Sequence, residues 1–313
     1  MKPKFVSIFV ACLLASLCAS LAYSQNRSQV VEVPFTFERN SVVVQAKING
    51  QGSYNLLLDT GAEESAIDVN TAKELGLTLK AISSGKIVAT GKRENTLFLT
   101  KFSQIEVGSL VVRDLLAVAT DFSKISQRIG IPVHGVVGYN FLKDRVVQFD
   151  YPHRVIRFFN NSPVPRSLQA NTASRMMLPF RFYAGDKFPT IDEVYVNGKR
   201  IKVELDTGHS GVLALTPLAI KKLGLEAEAQ SGETETSEGA LGTSVNRKAK
   251  LKSLTVGSVT LESPTVSFRS AGSGLDEAPF DGLLGNDFFK DFVVTFDYHS
   301  MMVMLEKELM AKR

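Results

Sequence analysis

The sequence predicts an all-β protein built as two β-barrel lobes. Three observations predict it. From about Val30 onward the chain is a series of short alternating apolar runs divided by turn signals, the texture of small barrels and not of helical bundles. Helical periodicity is confined to a few short pieces, and there is no Trp among the 313 residues. The second half of the chain also repeats the first, at a spacing far too long for a solenoid.

At the N-terminus, Lys2 and Lys4 precede an apolar run from Phe5 to about Leu21, with small residues near its end at Ser20, Ala22 and Ser24. This predicts a secretory signal peptide over 1–24, cut after Ala22 or Ser24, and hence an exported chain, periplasmic or extracellular. A membrane association would arise only if that segment were retained as an anchor, and it is at the short end for a span. Cys12 and Cys18 both lie inside it, and Leu17 is not the small residue that lipidation of Cys18 would want. Cleavage leaves no cysteine, so the mature chain must be held by its core alone. It also removes two lysines and lowers the net charge from +4 to +2. Near neutrality without a basic patch argues against nucleic acid. Arg247, Lys248, Lys250 and Lys252 read as the solvated face of a strand. No later stretch is long and apolar enough to span a membrane.

Val42, Val44, Ala46 and Ile48 fall on one face of a strand, with Val43, Gln45 and Lys47 on the other. Asn49-Gly50 supplies a tight hairpin whose two central residues need positive φ, and the return strand ends at Leu58-Asp59. The second half repeats this with Tyr195-Val196, the turn Asn197-Gly198, and Ile201, Val203 and Leu205 facing inward. Short helices are predicted at about 70–75, 216–223 and 286–292, with Pro217 suited to the start of the second. The polar stretch from Asn160 to Ser174 carries Pro163 and Pro165 and has no period. It reads as a linker over 161–174 between lobes spanning 25–160 and 175–313. The segment from Gly232 to Gly242 is either a mobile flap or a long surface hairpin, and its counterpart is Ser83 to Asn95.

The repeat is anchored on Asp59-Thr60-Gly61 and Asp206-Thr207-Gly208, each reached by an apolar strand. One such tripeptide arises by chance in roughly one chain in fifteen of this length, so the matched surroundings carry the argument. Val136-Val137-Gly138 answers Leu283-Leu284-Gly285, with the closing Gly 79 residues after the Asp in both halves. Phe149-Asp150-Tyr151 answers Phe296-Asp297-Tyr298, with the Asp 12 residues beyond that Gly in both.

Asp-Thr-Gly after a hydrophobic strand, then two apolar residues and Gly before a short helix, resembles the pepsin and retropepsin superfamily of aspartic proteases. Both halves carry both motifs, over nearly all of the mature chain. The chain is similar in particular to the two-lobed retropepsin-like proteins that bacteria export. The resemblance implies two pseudo-symmetric retropepsin-like lobes with a cleft between them. It implies an aspartic endopeptidase with Asp59 and Asp206 as catalytic residues, a peptide or protein substrate lying extended in the cleft, and no cofactor or metal. One chain supplies both halves, so the expected state is a monomer. Thr60 and Thr207 would lock the two loops together. Gly61 and Gly208 would let backbone N–H groups approach the carboxylates. The two apolar-apolar-Gly stretches would support the loops from behind. Ala62, His209 and Ser210 follow the loops and would border the substrate.

The chemistry accounts for the pairing. Hydrolysis of a peptide bond without metal or nucleophile needs a water deprotonated while the carbonyl is protonated. Two carboxylates a hydrogen bond apart cannot both ionise cheaply, so one keeps a proton and the pair provides base and acid together. The same fold with the same cleft would also serve a peptide- or envelope-binding module that does not cut, or an enzyme dedicated to one partner. Asp206, His209 and Ser210 spell a hydrolytic triad by composition, but neighbours on one turn cannot align as nucleophile, base and orienter. His134, His153 and His299 have no metal-ligand spacing. Phe98, Phe102, Phe180 and Phe182 read as core or pocket wall. The chain departs from pepsin in lacking a Tyr between Ile82 and Phe98, so the flap contacts do not carry over. Ala62, as in retropepsins, stands where pepsin has Ser, which removes one reason for a strongly acidic working pH. From Gln25 to the first strand there is no room for a pepsin-like pro-segment, and no zymogen is expected.

Overall fold

The computed structural model describes residues 30–82, 90–92, 95–159, 175–183, 185 and 187–307. The expected signal peptide, the linker and most of the segment from Ser83 to Asn95 lie outside the described residues.

The protein is mostly β, in two lobes joined by a shared sheet. In the first lobe the strands Ser41–Ile48, Gln51–Leu58, Gly135–Val137, Ser65–Asp68, Leu110–Thr120 and Phe98–Val107 pair in that order, and the last returns to the first to close a barrel. In the second lobe the equivalent sheet runs from Glu233–Gly239 to Val259–Glu262 and stays open as a half-barrel. The hairpins that start each lobe turn on Asn-Gly, with φ of 53° and 75° at Asn49-Gly50 and 50° and 80° at Asn197-Gly198. Asn serves here for a further reason. The Asn49 Oδ1 accepts from the Gln104 N–H at 3.1 Å, and the Asn197 Oδ1 from the Ser253 N–H at 3.0 Å, tying each turn to the next hairpin.

The third sheet takes strands from both halves: Val30–Pro34, Val155–Phe159 and Val146–Asp150 on one side, Phe292–Asp297, Met302–Lys307 and Arg175–Pro179 on the other. At its centre Gln148 lies opposite Thr295 and donates to its Oγ1 at 3.0 Å, a pair 147 residues apart. Asp59 and Asp206 have the same separation. Gln148 and Thr295 are thus each other's mates in the duplication, and the pseudo-twofold axis passes between them. Buried Phe149 and Phe296 pack edge to face across it at 5.7 Å, and one apolar core runs through both lobes.

The helix at 216–223 is observed as Pro217–Leu223, capped by the Thr216 hydroxyl, which accepts from the Ala219 N–H at 3.2 Å. The third predicted helix is shorter than expected, Asn286–Phe289, because Phe292 already pairs with Lys307 in the shared sheet. The helices Ser123–Ile129 and Glu226–Ser231 were not expected, whereas Tyr139–Leu142 is the short helix that follows the first apolar-apolar-Gly stretch. Ser123–Ile129 presents only Ile125 and Ile129 as buried residues, too few to register as a helical period. The segment from Gly232 to Gly242 belongs to a hairpin, Glu233–Gly239 with Gly242–Lys250.

Candidate active site

Each Asp stands where a strand ends against a supporting strand. Leu56–Leu58 run parallel to Gly135–Val137, and the Asp59 N–H continues the ladder to the Val137 carbonyl at 3.0 Å. Val203–Leu205 run parallel to Gly282–Leu284, and the Asp206 N–H reaches the Leu284 carbonyl at 2.9 Å. The apolar-apolar-Gly stretches therefore lie directly beside the strands that deliver the two carboxylates.

The two loops meet across the axis. The Thr60 N–H donates to the Thr207 Oγ1 at 3.0 Å, and the Thr207 N–H to the Thr60 Oγ1 at 3.1 Å. Each hydroxyl then donates onward to a carbonyl of the opposite lobe, Thr60 to Leu205 at 2.6 Å and Thr207 to Leu58 at 2.7 Å. Both side chains are buried. The second loop has an added brace. The Tyr151 hydroxyl donates to the Asn286 Oδ1 at 2.6 Å, and the Asn286 Nδ2 donates to the Thr207 carbonyl at 2.6 Å.

This junction brings the Asp59 and Asp206 carboxyls within hydrogen-bonding reach of each other. The Gly61 N–H donates to the Asp59 Oδ1 at 2.8 Å and the Gly208 N–H to the Asp206 Oδ1 at 2.7 Å. Glycine is required at both places. A Cβ at Gly61 would stand 2.8 Å from the Asp206 Oδ1, and one at Gly208 would run into the Asp59 carboxylate. Burial pushes both carboxyls above the ordinary carboxylate range, and the charge of Asp59 raises Asp206 further. The pair therefore holds a proton at pH values where a free Asp would have lost it, and it titrates as a unit.

Ala62, His209 and Ser210 line the cavity beside the pair. No triad forms from Asp206, His209 and Ser210. Asp206 takes the backbone N–H of His209, at 3.1 Å, and Ser210 Oγ instead meets the Arg128 guanidinium at 3.4 Å. The His209 Nε2 is buried without a hydrogen-bond partner, and burial together with Arg269, Arg128 and Lys248 holds its imidazole well below the usual range, so the ring is neutral. Among the described residues no group of three or more His, Cys, Asp or Glu is placed to hold a metal ion.

The cavity is about 900 Å³, at the upper end of the range for ligand sites. Its roof is the Glu233–Gly239 hairpin, whose tip rests on the first lobe. The Leu241 N–H donates to the Thr90 carbonyl at 3.0 Å, and Asn95 reaches the Ala240 carbonyl at 3.2 Å. Arg128, on the helix Ser123–Ile129, faces Glu238 of the hairpin at 3.7 Å.

Several cavity residues were missed by sequence reasoning. Glu204 is buried at 2% exposure beside the Gly61 position, where the first half has the apolar Leu57. A charge inside an apolar strand two residues before the Asp was a usable signal. Lys248, expected on a solvated strand face, is exposed but also borders the cavity, 3.7 Å from Glu235. Arg128, Glu235 and Arg269 come from three separate elements, and only the folded chain assembles them.

A family model described as aspartyl protease matches the chain twice, over residues 44–141 and 193–288, together more than half of its length. Each match contains one Asp-Thr-Gly loop and its apolar-apolar-Gly partner. No curated protein matches the chain.

Proposed function

The chain belongs to the aspartyl protease family, and from that premise we propose that it is an endopeptidase in which Asp59 and Asp206, one from each lobe, jointly activate a water. The observation that carries this is the pair itself: two carboxyls in mutual reach, each held by a glycine N–H, both raised by burial. The ionised member takes a proton from the water as its oxygen attacks the peptide carbonyl carbon. The protonated member gives its proton to the carbonyl oxygen, forming a neutral tetrahedral diol. Return of a proton to the leaving nitrogen then lets the C–N bond break. Thr60, Thr207 and the Tyr151–Asn286 brace keep the carboxyls in register, which fixes the geometry before substrate arrives.

A substrate lying extended beneath the roof has a strand edge to join. Glu233–Gly239 is the outermost strand of its sheet, and an added strand would use its unpaired backbone groups. Both carboxylates come from one chain, so a monomer suffices. The N-terminal segment 1–24 has the composition of a signal peptide, which fits an exported enzyme.

Hydrolysis of an internally quenched peptide in ¹⁸O-labelled water, with a free amine added as a competing nucleophile, tests the mechanism. Direct attack by water predicts one labelled oxygen in the new carboxylate and no amide formed with the added amine. Capture of the acyl group by the amine would indicate a covalent intermediate and overturn the proposal.

A further inference from the structure

The second lobe's side of the cavity carries a guanidinium with unfilled donors. Along Thr265–Phe268 the side chains alternate: Val266 and Phe268 enter the core at 1% exposure, while Thr265, Ser267 and then Arg269 face the cavity. Arg269 is 5% exposed, and its Nε and Nη1 have no hydrogen-bond partner among the described residues. The Ser267 Oγ is buried in the same condition. A buried cation with idle donors is costly unless an acceptor fills the space in the working state.

The roof carboxylates leave those donors unfilled: Glu235 acts on Arg269 by its charge, but neither its Oε2 nor the Arg269 Nε and Nη1 has a hydrogen-bond partner among the described residues. Glu235 faces Lys248 and Glu238 faces Arg128, each at 3.7 Å. Three cations, Arg128, Lys248 and Arg269, line the cavity with the neutral His209 and act on it by their charge. Arg128 approaches from the opposite lobe, and its Nε also lacks a hydrogen-bond partner. Arg269 lines the same cavity as Asp59 and Asp206, and after Glu235 the charge of Asp206 also acts on it, so the unfilled donors share the cavity with the proposed site of cleavage.

We propose that Arg269, with Arg128 opposite, forms a carboxylate-binding subsite, so that the cleft selects peptides bearing a carboxylate at one fixed position beside the scissile bond. A carboxylate supplies both the charge and the two acceptor oxygens that a guanidinium matches best, and a neutral amide supplies neither the charge nor the second oxygen. The carboxylate comes from an Asp or Glu side chain or from a peptide's C-terminus. The inference rests on the proteolytic reading for the kind of ligand, a peptide, but not on turnover.

The test is a binding titration by calorimetry on the full chain carrying Asp59→Asn, so that bound peptide persists. The probes are matched peptides with Glu or Gln at each position in turn, each with a free or an amidated C-terminus. The expected result is one position at which Glu binds about ten- to a hundred-fold more tightly than Gln, the range for a charge-assisted contact. A preference lost only on amidation would assign the C-terminus as the source. Arg269→Gln should abolish the preference, and Arg269→Lys, which keeps the charge and removes the planar fork, should leave it reduced. Equal binding of Glu and Gln peptides at every position with no effect of amidation, a preference unchanged in Arg269→Gln or Arg269→Lys, or no binding by any peptide would each overturn the proposal. Selective binding without any cleavage by the wild-type chain would instead sink the hydrolytic reading and leave this subsite standing.

Discussion

Replacing Thr60 by Val removes one hydroxyl and keeps the side chain's shape. Two hydrogen bonds go with it: the one the hydroxyl gives to the Leu205 carbonyl and the one it receives from the Thr207 N–H. Both partners are in the buried junction between the lobes, where water cannot replace the lost group without opening the site. A buried polar group left unsatisfied costs about 1–3 kcal/mol, so the pair costs about 2–6 kcal/mol. That is a large part of a typical folding stability of about 5–15 kcal/mol. It corresponds to a fall in Tm of roughly 5–20 °C, at about 2–4 °C per kcal/mol for chains of 150–250 residues. Urea unfolding reads the loss as a lower midpoint at an unchanged slope. Thr60→Ser retains both bonds and should cost about 1 kcal/mol or less, the price of one methyl. Thr207→Val removes the other two bonds of the set, to Leu58 and from the Thr60 N–H, and should cost about as much as Thr60→Val. The double variant should cost less than the sum, because the first break already loosens the junction. A Thr60→Val protein within about 0.5 kcal/mol of wild type, or a Ser variant as damaged as the Val variant, would show that these hydroxyl bonds do not hold the junction.

Asp206→Asn tests the charge state of the pair. Both carboxyls titrate above their unfolded values, so the stability they contribute is complete below the unfolded carboxylate pKa of about 4 and is lost as pH rises toward the folded values. The variant should therefore melt higher than wild type near pH 7 and no higher near pH 3, as read by calorimetry; the reverse order would contradict the shifts. Gly208→Ala forces a Cβ against the Asp59 carboxylate and should abolish peptide cleavage while Gly198→Ala, at a turn with open space around it, leaves kcat/KM within a few-fold in the same assay. Tyr151→Phe orphans the Asn286 Oδ1 and should lower stability by about 1–3 kcal/mol in urea unfolding, with kcat falling more than KM changes because the brace serves the second loop.

Much of the architecture was legible because duplication writes the same solution twice. The equal spacing from Asp59 to Gly138 and from Asp206 to Gly285 reflects one strand pairing in parallel beside another in both lobes. The Asn-Gly turns were readable because few residue pairs accept positive φ at both positions. The cavity walls were not readable in the same way. Arg128 rides on a helix of seven residues with two buried apolar positions, below the length at which a period declares itself. Glu235 and Arg269 become neighbours only because Glu233–Gly239 and Thr265–Phe268 flank the same middle strand, Gly242–Lys250, a non-local pairing that composition does not encode. The difference between a closed barrel and an open half-barrel was equally hidden, since both halves carry the same alternation.

The most direct test of the account is cleavage of an unfolded protein mixture from mildly acidic to neutral pH, read by mass spectrometry. Wild type is run beside Asp59→Asn and Asp206→Asn, each shown to be folded by circular dichroism. The account predicts that wild type cuts and that both variants are silent at every pH. Cleavage by either variant at the wild-type rate would contradict it.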